Sequence, residues 1–142
     1  MQTLTLRYFN VYGPRMASQG AYVTVISAFM AARQRGEPMQ IHGDGEQTRD
    51  FTHVSDIVAA NILAMDAPTA DGRAINIGCG RSVSVNRIAE LIGGPRVATE
   101  NRKADMRNTR ADTTEASRIL EWHPRVSVEE GIRELLGAEN LG

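Results

Sequence analysis

The chain has 142 residues, a length that suits one domain with a sizeable core. Its hydrophobic share of 42% and charged share of 23% are those of a globular protein. A formal net charge of −1 gives no overall field for DNA, RNA or an anionic membrane, and no apolar run has the length to span a bilayer. Cys79 is the single cysteine, so neither an internal disulfide nor a cysteine-based zinc site can form. Met1-Gln2-Thr3 opens without the basic-then-apolar pattern of a signal peptide, and the expectation is a cytoplasmic protein.

Leu4–Phe9 reads as a strand and Gly13-Pro14 as a turn. Tyr22, Val25, Ile26, Phe29 and Met30 recur at helical spacing, and Gly36 with Pro38 marks the stop. Met39–His42 is a short strand, Gly43-Asp44-Gly45 a turn, and Thr48–Val54 a returning strand, which together predict a hairpin. Ser55 is placed to cap a helix whose apolar face carries Ile57, Val58, Ile62 and Met65 and which ends before Pro68. Arg73–Gly78 is a strand. Ser84 leads a helix with Val85, Ile88, Ala89 and Ile92, closed by Gly93-Gly94-Pro95. Asp112 with Glu115 resembles a capping box before Ala116–Trp122, and Ser127 with Glu130 another before Val128, Ile132, Leu135 and Leu136. The alternation predicts an α/β fold with a partly parallel sheet, in which the opening strand leaves an apolar edge.

A dinucleotide site needs Gly-x-Gly-x-x-Gly between a strand and a helix. Gly43-Asp44-Gly45 has Thr48 where the third glycine belongs, and Gly78-Cys79-Gly80 has Val83. A tyrosine four residues before a lysine, the usual short-chain dehydrogenase base pair, is also absent, since the only lysine is Lys103 and position 99 is Thr99. Asn10 lies just beyond a strand end, where open α/β sheets hold ligands, although a turn capped by the Asn10 side chain is the commoner use of that spacing. Arg49 follows a tight turn. Its planar fork suits a diphosphate, at about 1.5–3 kcal/mol per charge-assisted hydrogen bond; a surface pair with Asp50, worth about 0–1 kcal/mol, is an equal reading. Arg102-Lys103-Ala104-Asp105 offers cations for phosphate and a carboxylate for ribose, or a solvated charged loop. Acidic residues interrupt the basic run, which disfavours nucleic acid. His42, His53 and His123 lack metal-ligand spacing.

Leu6-Arg7-Tyr8-Phe9-Asn10-Val11-Tyr12-Gly13-Pro14-Arg15 and Gly43-Asp44-Gly45-Glu46-Gln47-Thr48-Arg49-Asp50-Phe51-Thr52-His53-Val54-Ser55-Asp56, followed in order by Asn76-Ile77-Gly78-Cys79-Gly80 and Arg102–Asp105, resemble the extended short-chain dehydrogenase/reductase family, the NAD-dependent nucleotide-sugar epimerases and dehydratases. The resemblance covers nearly the whole chain. It implies the late strands and helices of a Rossmann-like domain plus the smaller α/β substrate-binding lobe, with residues 1–13 and 54–80 on the Rossmann side and 14–53 and 81–142 in the substrate lobe. It places Tyr8, Phe9 and Val11 near the nicotinamide end of NAD, and Asn10 on the sugar diphosphate. It further puts Gln40 and His42 beside the base, Arg49 and Arg102 on the diphosphate with Asn76 nearby, and Asp105 on ribose. Phe51 stands where some members have Tyr, and Ala104 where many have Gly. The glycine fingerprint and the tyrosine–lysine pair belong to an N-terminal half whose motifs this sequence lacks.

The implied function is nucleotide-sugar binding for transient oxidation at sugar C4 by NAD, with no activity expected of this chain alone and a homo-oligomer as the assembled form. Two alternatives differ in class: a non-catalytic interaction module that pairs through its sheet edge, and one half of a split enzyme.

Overall fold

In the computed structural model, described for residues 3–17, 20, 23–67, 71–100 and 106–139, every strand finds a partner distant in sequence. Strand β1 (Thr3–Tyr8) pairs in parallel with β6 (Asp71–Ile77), and β2 (Val11–Tyr12) in parallel with β5 (Thr52–His53). Strand β3 (Met39–His42) pairs in parallel with β8 (Arg96–Thr99), and β4 (Thr48–Arg49) pairs antiparallel with β7 (Val83–Ser84). The helices are α1 (Val25–Gln34), α2 (Val54–Met65), α3 (Val85–Ile92), α4 (Thr114–Leu120) and α5 (Val128–Glu139). The class is α/β, as the alternation of elements requires.

The predicted hairpin does not form. Gly43 and Gly45 do turn the chain, at φ of 70° and 73°, but β3 gives its ladder to β8. The returning stretch breaks in two, because β4 hydrogen-bonds to β7 and β5 to β2, with the buried Asp50-Phe51 step between them. Helix α2 then starts one residue before the expected cap. His53 is its N-cap, and His53 Nδ1 accepts from the Ser55 amide at 3.4 Å. The apolar face of α2 also differs from the expected one: Ile57 and Ala60 are buried, whereas Val58, Ile62 and Met65 are 52%, 57% and 83% exposed.

Other ends follow local chemistry. Thr24 caps α1 through Oγ1, at 3.2 Å from the Ser27 amide, while Tyr22 lies outside the described residues. Asp112 and Glu115 do not form a capping box. Asp112 takes the Thr114 amide at 3.0 Å, and Glu115 is drawn to Arg118 and Arg73. Helix α4 stops at Leu120, where Glu121 turns left-handed (φ 51°), so Trp122 lies past its end. The Ser127–Glu130 box is realised in both directions, at 3.0 and 3.2 Å.

Two apolar clusters form the core. The first joins α1, β3, α3 and α5 through Ile26, Phe29, Met39, Ile88, Ile92 and Ile132. The second joins β6, α2 and α4 through Ile57, Ala60, Ile75, Ile77, Ala116 and Trp122. Tyr12 ties β2 to α5: its ring packs edge-on to Phe51 and His53, and its hydroxyl donates to the Ser127 carbonyl at 3.3 Å. Burial pushes the Tyr12 phenol well above its usual pKa, so it stays a neutral donor. No helix among the described residues is long and apolar enough to cross a membrane.

Two buried carboxylates fix the loops. Asp50, with no exposed surface, accepts the amides of Cys79 (2.6 Å), Gly80 (2.9 Å) and Ala111 (2.9 Å). Asp56 accepts the amides of Arg125 (3.0 Å) and Val126 (3.1 Å), and its main-chain carbonyl takes the Trp122 indole N–H at 3.0 Å.

Asp50→Ala leaves three interior N–H groups without an acceptor. Urea titration is expected to give a loss of about 4 kcal/mol or more in unfolding free energy; a loss below about 1 kcal/mol would contradict the account. Gly131 faces the Tyr12 ring, and a Cβ there overlaps the Tyr12 hydroxyl. Gly131→Ala is therefore expected to destabilise by about 1–2 kcal/mol, because overpacking outweighs the helix-propensity gain of about 1 kcal/mol. A rise in melting temperature would show that the packing relaxes freely.

Candidate functional site

Strand β1 delivers Tyr8, Phe9 and Asn10 to its carboxyl end. The parallel register sets Arg7 opposite Asn76 and Tyr8 opposite Ile77, so β6 delivers Gly78-Cys79-Gly80 to the same end. Asn10 sits at φ 30°, a conformation Asn tolerates better than most residues. Its carbonyl accepts from the Thr52 amide at 3.3 Å, and its Nδ2 donates to the Asp50 carbonyl at 3.2 Å. The printed side-chain bond of Asn10 is thus a long-range tie to Asp50 rather than a local turn cap, and it engages Nδ2 of the side-chain amide rather than Oδ1. Phe9 donates its amide to Ile77 O at 3.0 Å, and its Cβ would lie 3.3 Å from a Cβ placed on Gly78. Tyr8 is 45% exposed, with its hydroxyl donating to Asn61 Oδ1 of α2 at 3.0 Å. Val11 is half-buried against the second apolar cluster.

Arg49 precedes Asp50 on β4, half-buried, and its Nη1 donates to the Thr48 carbonyl at 2.8 Å. The Asp50 carboxylate is occupied by main-chain amides, so the surface Arg49–Asp50 pair is not what holds Asp50. Asn76 bridges two neighbours: Arg7 Nη1 donates to its Oδ1 at 3.4 Å, and its Nδ2 donates to Asp112 O at 3.3 Å.

Gln40 and His42 share the outer face of β3, since Met39 and Ile41 take the inner face at the period of two. They line a groove of ≈ 380 Å³ with Phe29, Ala32, Arg35 and Pro38. His42 Nδ1 lies 2.8 Å from Thr99 Oγ1 and 3.3 Å from Glu100 O, which orients the ring at the mouth of this groove. Arg102 and Asp105 lie outside the described residues.

The structure thus brings Asn10, Asp50 and the Gly78–Gly80 loop together, with Arg49 one residue from the centre, and sets Gln40 and His42 on a separate groove. Burial raises the Cys79 thiol pKa, and the Asp50 charge adds to the effect, so Cys79 is held as a thiol. Among the described residues no three His, Cys, Asp or Glu side chains cluster as a metal site. The polar groups at these positions are suited to binding and orienting a polar, anionic molecule.

Sequence reasoning missed two features. Asp50 was read only as a surface partner for Arg49. In the structure Asp50-Phe51-Thr52-His53 are all buried in succession, which no alternating strand allows, and no sequence motif marks it. The second is the pairing of Asp44 with Arg107 at 2.7 and 2.9 Å, which holds the Asp44 carboxyl down at about pKa 2.

Comparison with known proteins gives concordant results. The model of the NAD dependent epimerase/dehydratase family matches residues 1–78. The UDP-N-acetyl-alpha-D-glucosaminuronate decarboxylase of Bacillus cytotoxicus is 37% identical over 92% of this chain and 44% of its own length. The crystal structure of UDP-glucose 4-epimerase with UDP-glucose from Thermotoga maritima superposes with a TM-score of 0.88 at 38% identity, covering 100% of this chain and 48% of that one. UDP-glucuronic acid 4-epimerase from Bacillus cereus, in complex with UDP-glucuronic acid and NAD, superposes at 0.83 and 28% identity, covering 96% and 45%. The chain spans a little under half the length of these relatives. With the match over residues 1–78 and the likeness along nearly the whole chain, it belongs to the NAD dependent epimerase/dehydratase family.

Proposed function

We propose that the chain is the nucleotide-diphosphate-sugar-binding portion of an NAD-dependent sugar-nucleotide epimerase or dehydratase. The observation that carries this reading is the fit of the entire chain, at TM-score 0.88, to part of an epimerase solved with UDP-glucose. The groove beside Gln40 and His42 suits a flat base, because one wall is the outer face of β3 and the other is the apolar flank of α1. Arg49 and Arg102 supply cations for the diphosphate, Asn10 an amide acceptor beside it, and Asp105 a carboxylate for ribose hydroxyls. Asn76, already engaged by Arg7 and Asp112, acts by aligning the β1–β6 strand ends.

Tyr8, Phe9 and Val11 fit the nicotinamide end of NAD: Tyr8 presents an exposed ring at the carboxyl end of a parallel strand, with Phe9 half-buried beside it. When bound, NAD supplies a reversible hydride acceptor for the sugar's C4. The residues of this chain bind and orient the substrate, while the glycine fingerprint and the tyrosine–lysine pair come from elsewhere in the assembled enzyme. On this reading the chain alone does not turn over substrate. Residues 1–13 and 54–80 form the Rossmann side and 14–53 and 81–142 the substrate lobe, with α4 of the latter packed on β6 and α2 through the second apolar cluster. The lone Cys79, which leaves no internal disulfide to form, agrees with a cytoplasmic setting.

The outer edge of β1 has no partner among the described strands, and Val58, Ile62 and Met65 leave an apolar stripe on α2. Parallel sheets are ordinarily covered on both faces. These surfaces favour completion by a Rossmann-like half, whether in one chain or as a split enzyme. The same surfaces favour, as a second reading, a homo-oligomer formed through the β1 edge. Light scattering with size-exclusion chromatography separates the two, since a dimer that Ile62→Asp, on the exposed stripe of α2, dissolves supports self-association.

Calorimetric titration with UDP-glucose and with dTDP-glucose tests the binding role. Arg49→Ala is expected to weaken binding about tenfold or more, the worth of one charge-assisted contact, while Arg118→Ala on the outer face of α4 leaves it unchanged. A folded wild-type sample that gives no heat with either nucleotide sugar would sink the proposal.

A further inference from the structure

The parallel register sets His42 of β3 opposite Thr99 of β8, so the two side chains stand on the same outer face as Gln40. His42 Nδ1 lies 2.8 Å from Thr99 Oγ1 and 3.3 Å from the Glu100 carbonyl. Thr99 Oγ1 in turn lies 3.4 Å from the Ile41 carbonyl. The main chain here is held from two sides. Gln47 Nε2 donates to His42 O at 2.9 Å, and the Gly43 amide donates to Thr99 O at 3.0 Å. His42 is thus a ring fixed through its backbone and through one of its two nitrogens. Among the described residues no group bonds to the other nitrogen, Nε2.

The ends of this relay decide where its protons sit. The Glu100 and Ile41 carbonyls can only accept. A proton on Nδ1, shared between Thr99 Oγ1 and the Glu100 carbonyl, frees the Thr99 hydroxyl to donate onward to Ile41 O, and every acceptor is met. With the proton on Nε2 instead, the Thr99 hydroxyl has to turn towards Nδ1. The ring then shows a lone pair to the Glu100 carbonyl, and the Ile41 contact goes unused. The first arrangement uses all of the observed contacts and the second uses only the shortest. A hydrogen bond at one ring nitrogen sets the state of the other, so the neutral ring presents Nε2 as an acceptor. His42 lines the ≈ 380 Å³ groove with Gln40 and Phe29, and Nε2 is the nitrogen left to meet what enters it.

We propose that Thr99 is a positioning residue for nucleotide-sugar binding: its hydroxyl holds His42 in the Nδ1–H tautomer, so that Nε2 accepts a hydrogen bond from the nucleoside of the ligand. The inference rests on the nucleotide-sugar reading above. A nucleoside offers such a donor either as the ring N–H of an imide base or as a ribose hydroxyl. The opposite tautomer would set the His42 N–H against that donor, and the ring would have to exchange its proton before the contact could form. Fixing the ring beforehand removes this cost, and preorganisation of this kind appears as affinity. Valine at position 99 keeps the β-branched shape that suits a strand and removes only the hydroxyl, whereas serine keeps the hydroxyl.

The test pairs NMR of the histidine ring nitrogens, recorded on the full chain with the rings neutral, with calorimetric titration of uridine diphosphate. The His42 signals are assigned by their loss in His42→Asn. Wild type is expected to show His42 protonated at Nδ1, with the Nε2 signal moving when uridine diphosphate binds. Thr99→Val is expected to lose the single-tautomer signature and to raise Kd about fivefold, the worth of one hydrogen bond. Thr99→Ser is expected to restore both. The gap between wild type and Thr99→Val closes for an analogue methylated at the imide nitrogen when the base is the donor, and for an analogue lacking both ribose hydroxyls when the ribose is. A gap that persists for both analogues overturns the proposal. So does a wild-type His42 protonated at Nε2, which needs no variant to detect, or wild-type affinity in Thr99→Val. Thr99→Ser with the weakened affinity of Thr99→Val overturns it too, because the threonine methyl would then carry the effect. All of these leave the nucleotide-sugar reading standing. A folded wild type that gives no heat with uridine diphosphate or UDP-glucose removes that reading, whichever tautomer His42 shows, and the role of Thr99 with it.

Discussion

The carboxylate of Asp50 has no accessible surface and is met by three main-chain amides from two other parts of the chain. A charge taken from water at such cost persists only where donors replace the lost solvent. Here the donors are amides of loops that would otherwise need partners of their own, so one side chain settles two problems of hydrogen-bond accounting. The loop after β6, the segment before α4 and the crossing between β4 and β5 are set relative to one another at this point. Asn10, which leans on the Asp50 carbonyl, takes its position from the same centre.

Asp56 repeats the device in the first turn of α2, with the amides of Arg125 and Val126. Together the two carboxylates link the two apolar clusters by polar rather than apolar contacts. Gly78 shows how closely this is fitted: a Cβ there would run into the Ala111 methyl and approach both Asp50 and Phe9. The strand-end positions around Gly78 are thus built from backbone, small residues and satisfied carboxylate.

Much of the fold was legible because its helices announce themselves. Val85, Ile88, Ala89 and Ile92 all lie on the buried face that their spacing predicts, and Ser127 and Glu130 bond reciprocally as a capping box. Strand partners were not legible, since periodicity identifies a strand and not its neighbour; Met39–His42 next to a glycine turn looked like half of a hairpin and pairs instead with Arg96–Thr99. The outer stripe of α2 misled for a related reason: Val58, Ile62 and Met65 are apolar, yet the interior here takes Ile57 and Ala60. At the site, Asn10 and Arg49 were legible as polar residues at a strand end and after a turn. Asp50 was not, because a carboxylate bound only by main-chain amides has no side-chain partner for a sequence to reveal.

Among the described residues none of the strand pairs joins neighbours in sequence. On the ribosome, Thr3–Tyr8 emerges well before its partner Asp71–Ile77, which follows only after two helices and four short strands have been made. Met39–His42 likewise waits for Arg96–Thr99. Early strands therefore spend much of synthesis with unsatisfied edges, in a topology whose non-local closure is slow and exposed to aggregation. The threonines that alternate with Leu4 and Leu6 in the first strand make that waiting edge less adhesive than a run of aliphatic residues. Solubility during translation thus bears on this stretch as well as the demands of the finished molecule.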